Sequence, residues 1–240
     1  MNQKTDLTIY IPLFNEEEGV EYLKNELEIS YPDLSNLADI DIVLINDGSA
    51  DKTPYLLEKF FQDKKYKIIH HEHNKNLGGF LNTAINDCTS SFIGFLDSDC
   101  TYHPSLMKEM INKILEGYEI VNASPYHPNG HVNNVGEIRL FLSKSINRVY
   151  KLISRKNFYT TSSICKIYKT DLVKQVEITR KNFVAVTELF TKSVLNTNKI
   201  FELPCTLNAR IFGVSKMNVY ENILDHIKYL AHYIKYLYEK

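Results

Sequence analysis

The chain has no tryptophan, and its four cysteines, Cys88, Cys100, Cys165 and Cys205, are far apart with no C-x-x-C spacing. That usage argues against a disulfide framework or a cysteine-rich zinc scaffold and predicts a reduced, cytosolic chain. No apolar run approaches the roughly 20 residues that a helix needs to cross a bilayer. A secretory pattern is missing too, since polar Asn2-Gln3-Lys4-Thr5-Asp6 leads straight into a strand-like run. The formal net charge is only −1, so the surface-wide basicity of a nucleic-acid binder is not indicated. Internal repeats, low-complexity tracts and obvious linkers are likewise absent.

What is present is ordinary globular material with aromatic bulk from 16 Tyr and 12 Phe, in a length that fits one large domain or two small ones. The first half alternates β-rich runs with helical patterns. Strands are predicted at Leu7–Pro12, Ile40–Ile45, Tyr66–His70 and Phe92–Leu96. Helices are predicted from Glu17 to about Ser30, from Ala50-Asp51-Lys52-Thr53 to about Gln62, from Asn76 to about Cys88, and from His103-Pro104-Ser105 to about Leu115. Such alternation predicts a mostly parallel sheet flanked by helices on both faces. The second half is less regular. Ser124–Asn134 reads as a loop, Val135–Ile153 as an amphipathic helix, Ser163–Tyr168 and Lys199–Pro204 as strands and Thr187–Leu195 as a helix. Residues 219–238 form a last helix with Ile223, Ile227, Leu230, Ile234 and Leu237 at 4-3-4-3 spacing.

In a parallel sheet the carboxyl ends of the strands line the ligand crevice. Three polar clusters fall on that edge: Asn15-Glu16, Asn46-Asp47-Gly48-Ser49 and Asp97-Ser98-Asp99. Asp97 and Asp99 are two apart on an extended chain, hence on the same side. Carboxylates that close are unfavourable without a compensating cation or solvent, so the pair is either a solvated strand end or a metal station.

Four stretches occur in a recognisable order: IPLFNEEEGV at 11–20, INDGSADKT at 45–53, NLGGFLNTAI at 76–85 and LDSDCTYHP at 96–104. Together they resemble the family 2 glycosyltransferases of GT-A fold. Within that family SPYHPNG (124–130), FVAVTEL (183–189) and RIFGVSKM (210–217) resemble the dolichyl-phosphate mannose synthase and polyprenyl-phosphate glycosyltransferase group. The resemblance spans about residues 7–218, leaving 219–240 as a C-terminal amphipathic helix packed on the domain, on a partner or on the membrane surface. It implies an inverting hexosyltransferase that moves a sugar from a UDP- or GDP-linked donor to a lipid phosphate, with Mg²⁺ or Mn²⁺. The setting would be the cytoplasm or the cytoplasmic face of the membrane, with a homo-oligomer an open option.

By the resemblance Asp99 is the main metal ligand, and Asp97 contacts the ribose or a metal-bound water. Pro12, Phe14, Asn15 and Glu16 line the nucleoside pocket. Asp47 meets the base or ribose, and Asn46 stands where the family commonly has a first acid. Arg210 and Lys216 attend the diphosphate and bracket Gly213 in a loop able to close over the donor. Glu188 orients a sugar hydroxyl or the acceptor. Arg139 and Ser143, one helical turn apart, align with the acceptor-phosphate residues of the group. Many relatives carry an arginine where this chain has Pro125, and His127 is the local substitute. Other readings are a family 2 transferase acting on a glycan or cell-wall precursor, and a silent nucleotide-sugar binding protein.

Overall fold

The computed structural model describes residues 4–133, 136–212 and 219–239. The first half alternates as expected: β1 (Asp6–Leu13), α1 (Val20–Leu37), β2 (Asp39–Asn46), α2 (Thr53–Phe60), β3 (Tyr66–His70), α3 (Asn76–Asp87), β4 (Phe92–Phe95) and α4 (Leu106–Leu115). Then follow β5 (Ile120–Ser124), β6 (His131–Val132), α5 (Glu137–Ser154), β7 (Lys166–Lys169), α6 (Thr170–Lys174), α7 (Val184–Ser193), β8 (Ile200–Pro204), β9 (Thr206–Leu207) and α8 (Val219–Glu239).

The main sheet runs β3-β2-β1-β4-β7-β5-β8, and β6 and β9 form a small separate ribbon. Strands β3, β2, β1 and β4 are parallel. Strand β7 is antiparallel to both neighbours, β4 and β5, while β5 and β8 are parallel. The carboxyl ends of β1, β2, β4 and β5 therefore meet one edge of the sheet, and the segment leading into β7 arrives at that same edge.

Strand periodicity sets the two core layers. Leu7, Ile9, Ile11 and Leu13 of β1 face α1, α2 and α4, where Leu23, Leu27, Leu57, Met107 and Ile111 complete one apolar cluster. Tyr10 points the other way, with Val43, Ile45 and Phe95, into a cluster built with Phe80 of α3 and Phe190 of α7. Helix α8 covers this second layer: Tyr229 and Tyr233 are fully buried, and their hydroxyls reach Thr191 Oγ1 (2.7 Å) and Thr191 O (3.0 Å) on α7. His226 Nδ1 lies 3.2 Å from the Tyr150 hydroxyl of α5.

Three differences from the sequence reading have physical causes. Helix α1 continues through Pro32, past the expected end at Ser30. An interior proline costs a hydrogen bond, but buried Leu34 extends the Val20–Leu23–Leu27 stripe and anchors the added turns. Strand β5 escapes the pattern because buried Asn122 and Ser124 break its apolar run. The last difference is local: the expected loop at Ser124–Asn134 also carries β6.

Candidate active site

The Asp97–Asp99 pair stands just past the end of β4. Thr101 fixes both carboxylates: its hydroxyl donates to Asp97 Oδ2 (3.1 Å) and its backbone N–H to Asp99 Oδ1 (3.1 Å). This turn requires Cys100 in the left-handed region, at φ 53°. Burial and then the Asp99 charge push the Asp97 carboxyl up to about 8. Arg210 arrives from the segment after β9. Its Nε donates to Asp99 Oδ2 (2.7 Å), and its Nη1 to Glu16 Oε1 (3.2 Å) and Oε2 (3.4 Å). A cation thus bridges the β1 and β4 clusters. Phe212, close behind, packs on Tyr22 of α1 with ring centres 5.6 Å apart.

The β1–α1 and β2–α2 turns are stitched together. Asn15 N donates to Ser49 Oγ (2.9 Å), Ala50 N to Asn15 Oδ1 (2.8 Å) and Glu16 N to Thr53 Oγ1 (2.8 Å). Asn15 at φ 51° and Gly48 at φ 68° supply the left-handed bends. Pro12, Phe14, Asn15 and Glu16 thus follow one another onto the edge beside Asn46. Asn46 Oδ1 accepts from Ser49 N (3.2 Å), and its Nδ2 lies 3.0 Å from His70 Nδ1.

Two of the expected site residues, Asp47 and Glu188, are held by partners within the chain. Asp47 is only 5% exposed, and its Oδ1 pairs with His71 Nδ1 (2.7 Å) and accepts from Lys75 N (2.8 Å). Through Oδ1 it fixes the β3–α3 loop. Glu188 is fully buried in α7. Its carboxylate accepts from Thr179 N (2.9 Å), Thr179 Oγ1 (2.9 Å), Arg180 N (2.8 Å) and Lys192 Nζ (2.7 Å). A sugar hydroxyl or acceptor would have to displace those partners.

On the β5 side, His127 and Ser143 converge on one segment, residues 159–161. The His127 ring meets Tyr159 edge-on at 5.1 Å. Ser143 O accepts from Asn147 Nδ2 (2.6 Å), and Asn147 Oδ1 in turn accepts from Thr161 N (2.6 Å). Arg139 belongs to the first turn of α5, but its side chain lies outside the described residues, as do Gly213 and Lys216.

The sequence reading missed Lys166, which is fully buried on β7. Its ammonium donates to Thr161 O (3.2 Å), and burial pulls its pKa down to about 7 against the opposing charges of Cys165, Glu202 and Asp97. In register it pairs with Asn122, and Asn122 pairs with Glu202, so three polar side chains cross β7, β5 and β8 in one row. Glu202 accepts from Tyr159 N (2.6 Å), Thr160 N (3.1 Å) and Asn122 Nδ2 (2.8 Å). A lysine flanked by Cys165 and Ile167 within a predicted strand was the available signal.

Comparison with known proteins now decides the family. The family model described as Glycosyl transferase family 2 matches residues 8–177. The chain belongs to glycosyl transferase family 2. Among similar curated proteins, this family 2 chain is 22% identical over 232 residues to a dolichol-phosphate mannosyltransferase of Pyrococcus furiosus, covering 96% of this chain and 64% of that protein. It is 21% identical to a polyprenol monophosphomannose synthase of Mycolicibacterium smegmatis, over 88% of this chain and 80% of that protein. Thus the family 2 chain spans a little under two thirds of the length of the Pyrococcus relative.

Solved structures confirm the fold. Glucosyl-3-phosphoglycerate synthase from Mycobacterium tuberculosis, in complex with Mn²⁺, UDP-glucose and phosphoglyceric acid, superposes with a TM-score of 0.71 at 15% identity, over 97% of this chain and 80% of that one. Staphylococcus aureus TarS 1–349 with UDP-GlcNAc gives 0.67 at 21% identity, over 95% of this chain and 66% of that one. The mostly parallel sheet with flanking helices is the GT-A arrangement expected from the sequence.

Proposed function

We propose that this family 2 glycosyltransferase moves a sugar, with inversion, from a nucleotide-sugar donor to the phosphate of a polyprenyl or dolichyl phosphate. The observation that carries the transferase reading is Arg210 spanning Glu16 and Asp99 beside Asp97. The edge offers a cation and carboxylates where a diphosphate leaving group must be held. The names of the two curated relatives support the lipid-phosphate acceptor.

Among the described residues no group of three His, Cys, Asp or Glu is placed to hold an ion. Two carboxylates still suffice for Mg²⁺ or Mn²⁺, which commonly bind through one or two protein carboxylates together with substrate phosphates and water. Asp99 is the proposed ligand, with Asp97 beside it. Bound there, the metal would supply Lewis-acid neutralisation of the departing diphosphate.

The chain's own groups do the rest. The stitched turns at 14–17 and 46–53 form a preformed cradle for the nucleoside. Thr101 orients both aspartates, and Arg210 exchanges its carboxylate partners for diphosphate oxygens. A phosphate acceptor is ionised near neutral pH, so its oxygen attacks the anomeric carbon without a strong general base as the bond to the diphosphate breaks. The engagement of Glu188 by its own loop fits a reaction of that kind.

We further propose that α8 is part of the catalytic unit and that contact with the membrane is peripheral. No described helix is long and apolar enough to cross a bilayer. Pro125, in place of the arginine common in relatives, favours a second reading in which a glycan or another phosphate compound is the acceptor.

The test combines UDP- and GDP-sugars, Mn²⁺ and a prenyl phosphate with the protein, and analyses for glycosyl-phosphate lipid. Product that disappears with EDTA and with Asp99→Asn is expected. If no nucleotide sugar raises the melting temperature in the presence of Mn²⁺, the transferase reading fails.

A further inference from the structure

Three half-buried side chains from three segments meet beside β5. Tyr159 lies in the segment entering β7, His127 in the loop after β5, and Lys151 in the last third of α5. The His127 ring centre is 5.1 Å from that of Tyr159, and Lys151 Nζ is 4.2 Å from the same ring centre. We propose that His127, Lys151 and Tyr159 form the subsite that takes the phosphate monoester of the acceptor. The proposal rests on the phosphate-acceptor reading above and supplies, in Lys151, a cation for the arginine that Pro125 leaves out.

Position argues first. Strand β5 is two places from β4 in the sheet, so the His127 loop leaves the shared edge roughly 10 Å to the side of the aspartates. That is enough to keep an acceptor phosphate clear of the Asp97–Asp99 charges and still beside the donor edge. Ser143, Asn147 and Lys151 recur every fourth residue, so one stripe of α5 runs from the expected acceptor residue to the new one.

Chemistry argues second. His127 Nδ1 accepts from Asn129 N (3.2 Å), so the neutral ring carries its proton on Nε2, a donor. The Tyr159 ring holds the Lys151 ammonium by its π face, and that contact uses none of the three N–H donors. Among the described residues Lys151 Nζ has no hydrogen-bond acceptor and no carboxylate partner. Glu202, which anchors the Tyr159 backbone, has its carboxylate accepting Tyr159 N, Thr160 N and Asn122 Nδ2.

Rigidity argues third. Tyr159 is anchored through its own N–H to Glu202. Thr160 and Thr161, which follow it, bind Ser124 Oγ (2.9 Å) and Asn147 Oδ1 (2.8 Å) through their hydroxyls. The aromatic platform therefore does not need to be ordered by the ligand.

Calorimetric titration of the full chain with geranyl phosphate and with inorganic phosphate, in the presence of Mn²⁺ and UDP, tests the proposal. Lys151→Met should weaken geranyl phosphate binding at least fivefold, and Lys151→Arg should restore it to within twofold. UDP affinity should be the same in all three proteins. Binding of geranyl phosphate by Lys151→Met within twofold of the parent, or an equal loss of UDP binding, overturns the subsite. Parallel weakening of inorganic phosphate shows that the phosphate and not the tail is recognised, and it supports the subsite even if no sugar is transferred to lipid. Transfer to prenyl phosphate with an unchanged acceptor KM in Lys151→Met sinks the subsite and leaves the lipid-phosphate reading standing.

Discussion

Glu188 shows how burial changes the meaning of an acidic residue. In the sequence it comes after Phe183 in the 183–189 segment and reads as a group facing substrate. In the structure it closes an ion pair with Lys192 and caps the backbone at 179–180. Removing one partner of a buried pair strands the other charge, at a cost of about 3–5 kcal/mol. Glu188→Gln is therefore expected to lower the unfolding free energy from a urea titration by that much, while the protein that remains folded binds donor normally. Normal stability with lost turnover would return Glu188 to the chemistry. Asp47 had the same ambiguity. Asp97, Asp99 and Arg210 were singled out by the ordered motifs, and the fold brings Arg210 onto Asp99 and Glu16. Lys166 was not, because its role depends on strands that are neighbours only after folding.

Among the elements, α8 shows what pattern alone leaves open. Its 4-3-4-3 stripe was visible, but the docked face is turned from it: Tyr229 and Tyr233 are buried with Leu230 and Leu237 beside them, while Ile227 and Ile234 of the stripe stay 57% and 37% exposed. The tyrosines hydrogen-bond α7. His226 beside them gives a pH signature. Burial lowers its pKa from 6.5 to about 4, with nearby Asp225 opposing. The unfolded chain thus binds the proton first as pH falls. The stabilisation is complete above about 6.5 and is lost as pH drops through about 4, by at most about 3 kcal/mol. Melting temperatures of the wild type should fall over that window, and the fall should be shallower in His226→Phe. Parallel curves would show that the helix is not docked through this residue. The first-half elements were readable because alternation and turn residues agreed there. Strand β5 was not, because Asn122 is tolerated in the core only through partners on β8 and the 159–161 segment.

At the scale of the whole molecule, the apolar residues left outside matter. Phe141 and Leu152 of α5 are 67% and 79% exposed, on a helix with four basic residues and one acid. That combination suits the surface of an anionic bilayer. The proposed peripheral contact predicts flotation with anionic vesicles, reduced at least fivefold in the double variant Phe141→Ser, Leu152→Ser. Failure of the wild type to float would refute it. The sheet order has a consequence for synthesis. Strand β7 lies between β4 and β5, so neither inner edge is covered until residue 169 has been made. A nascent chain that has released only β1–β5 offers β4 as a bare template for strand addition. Ribosomal pausing before residue 166 would prolong that exposure.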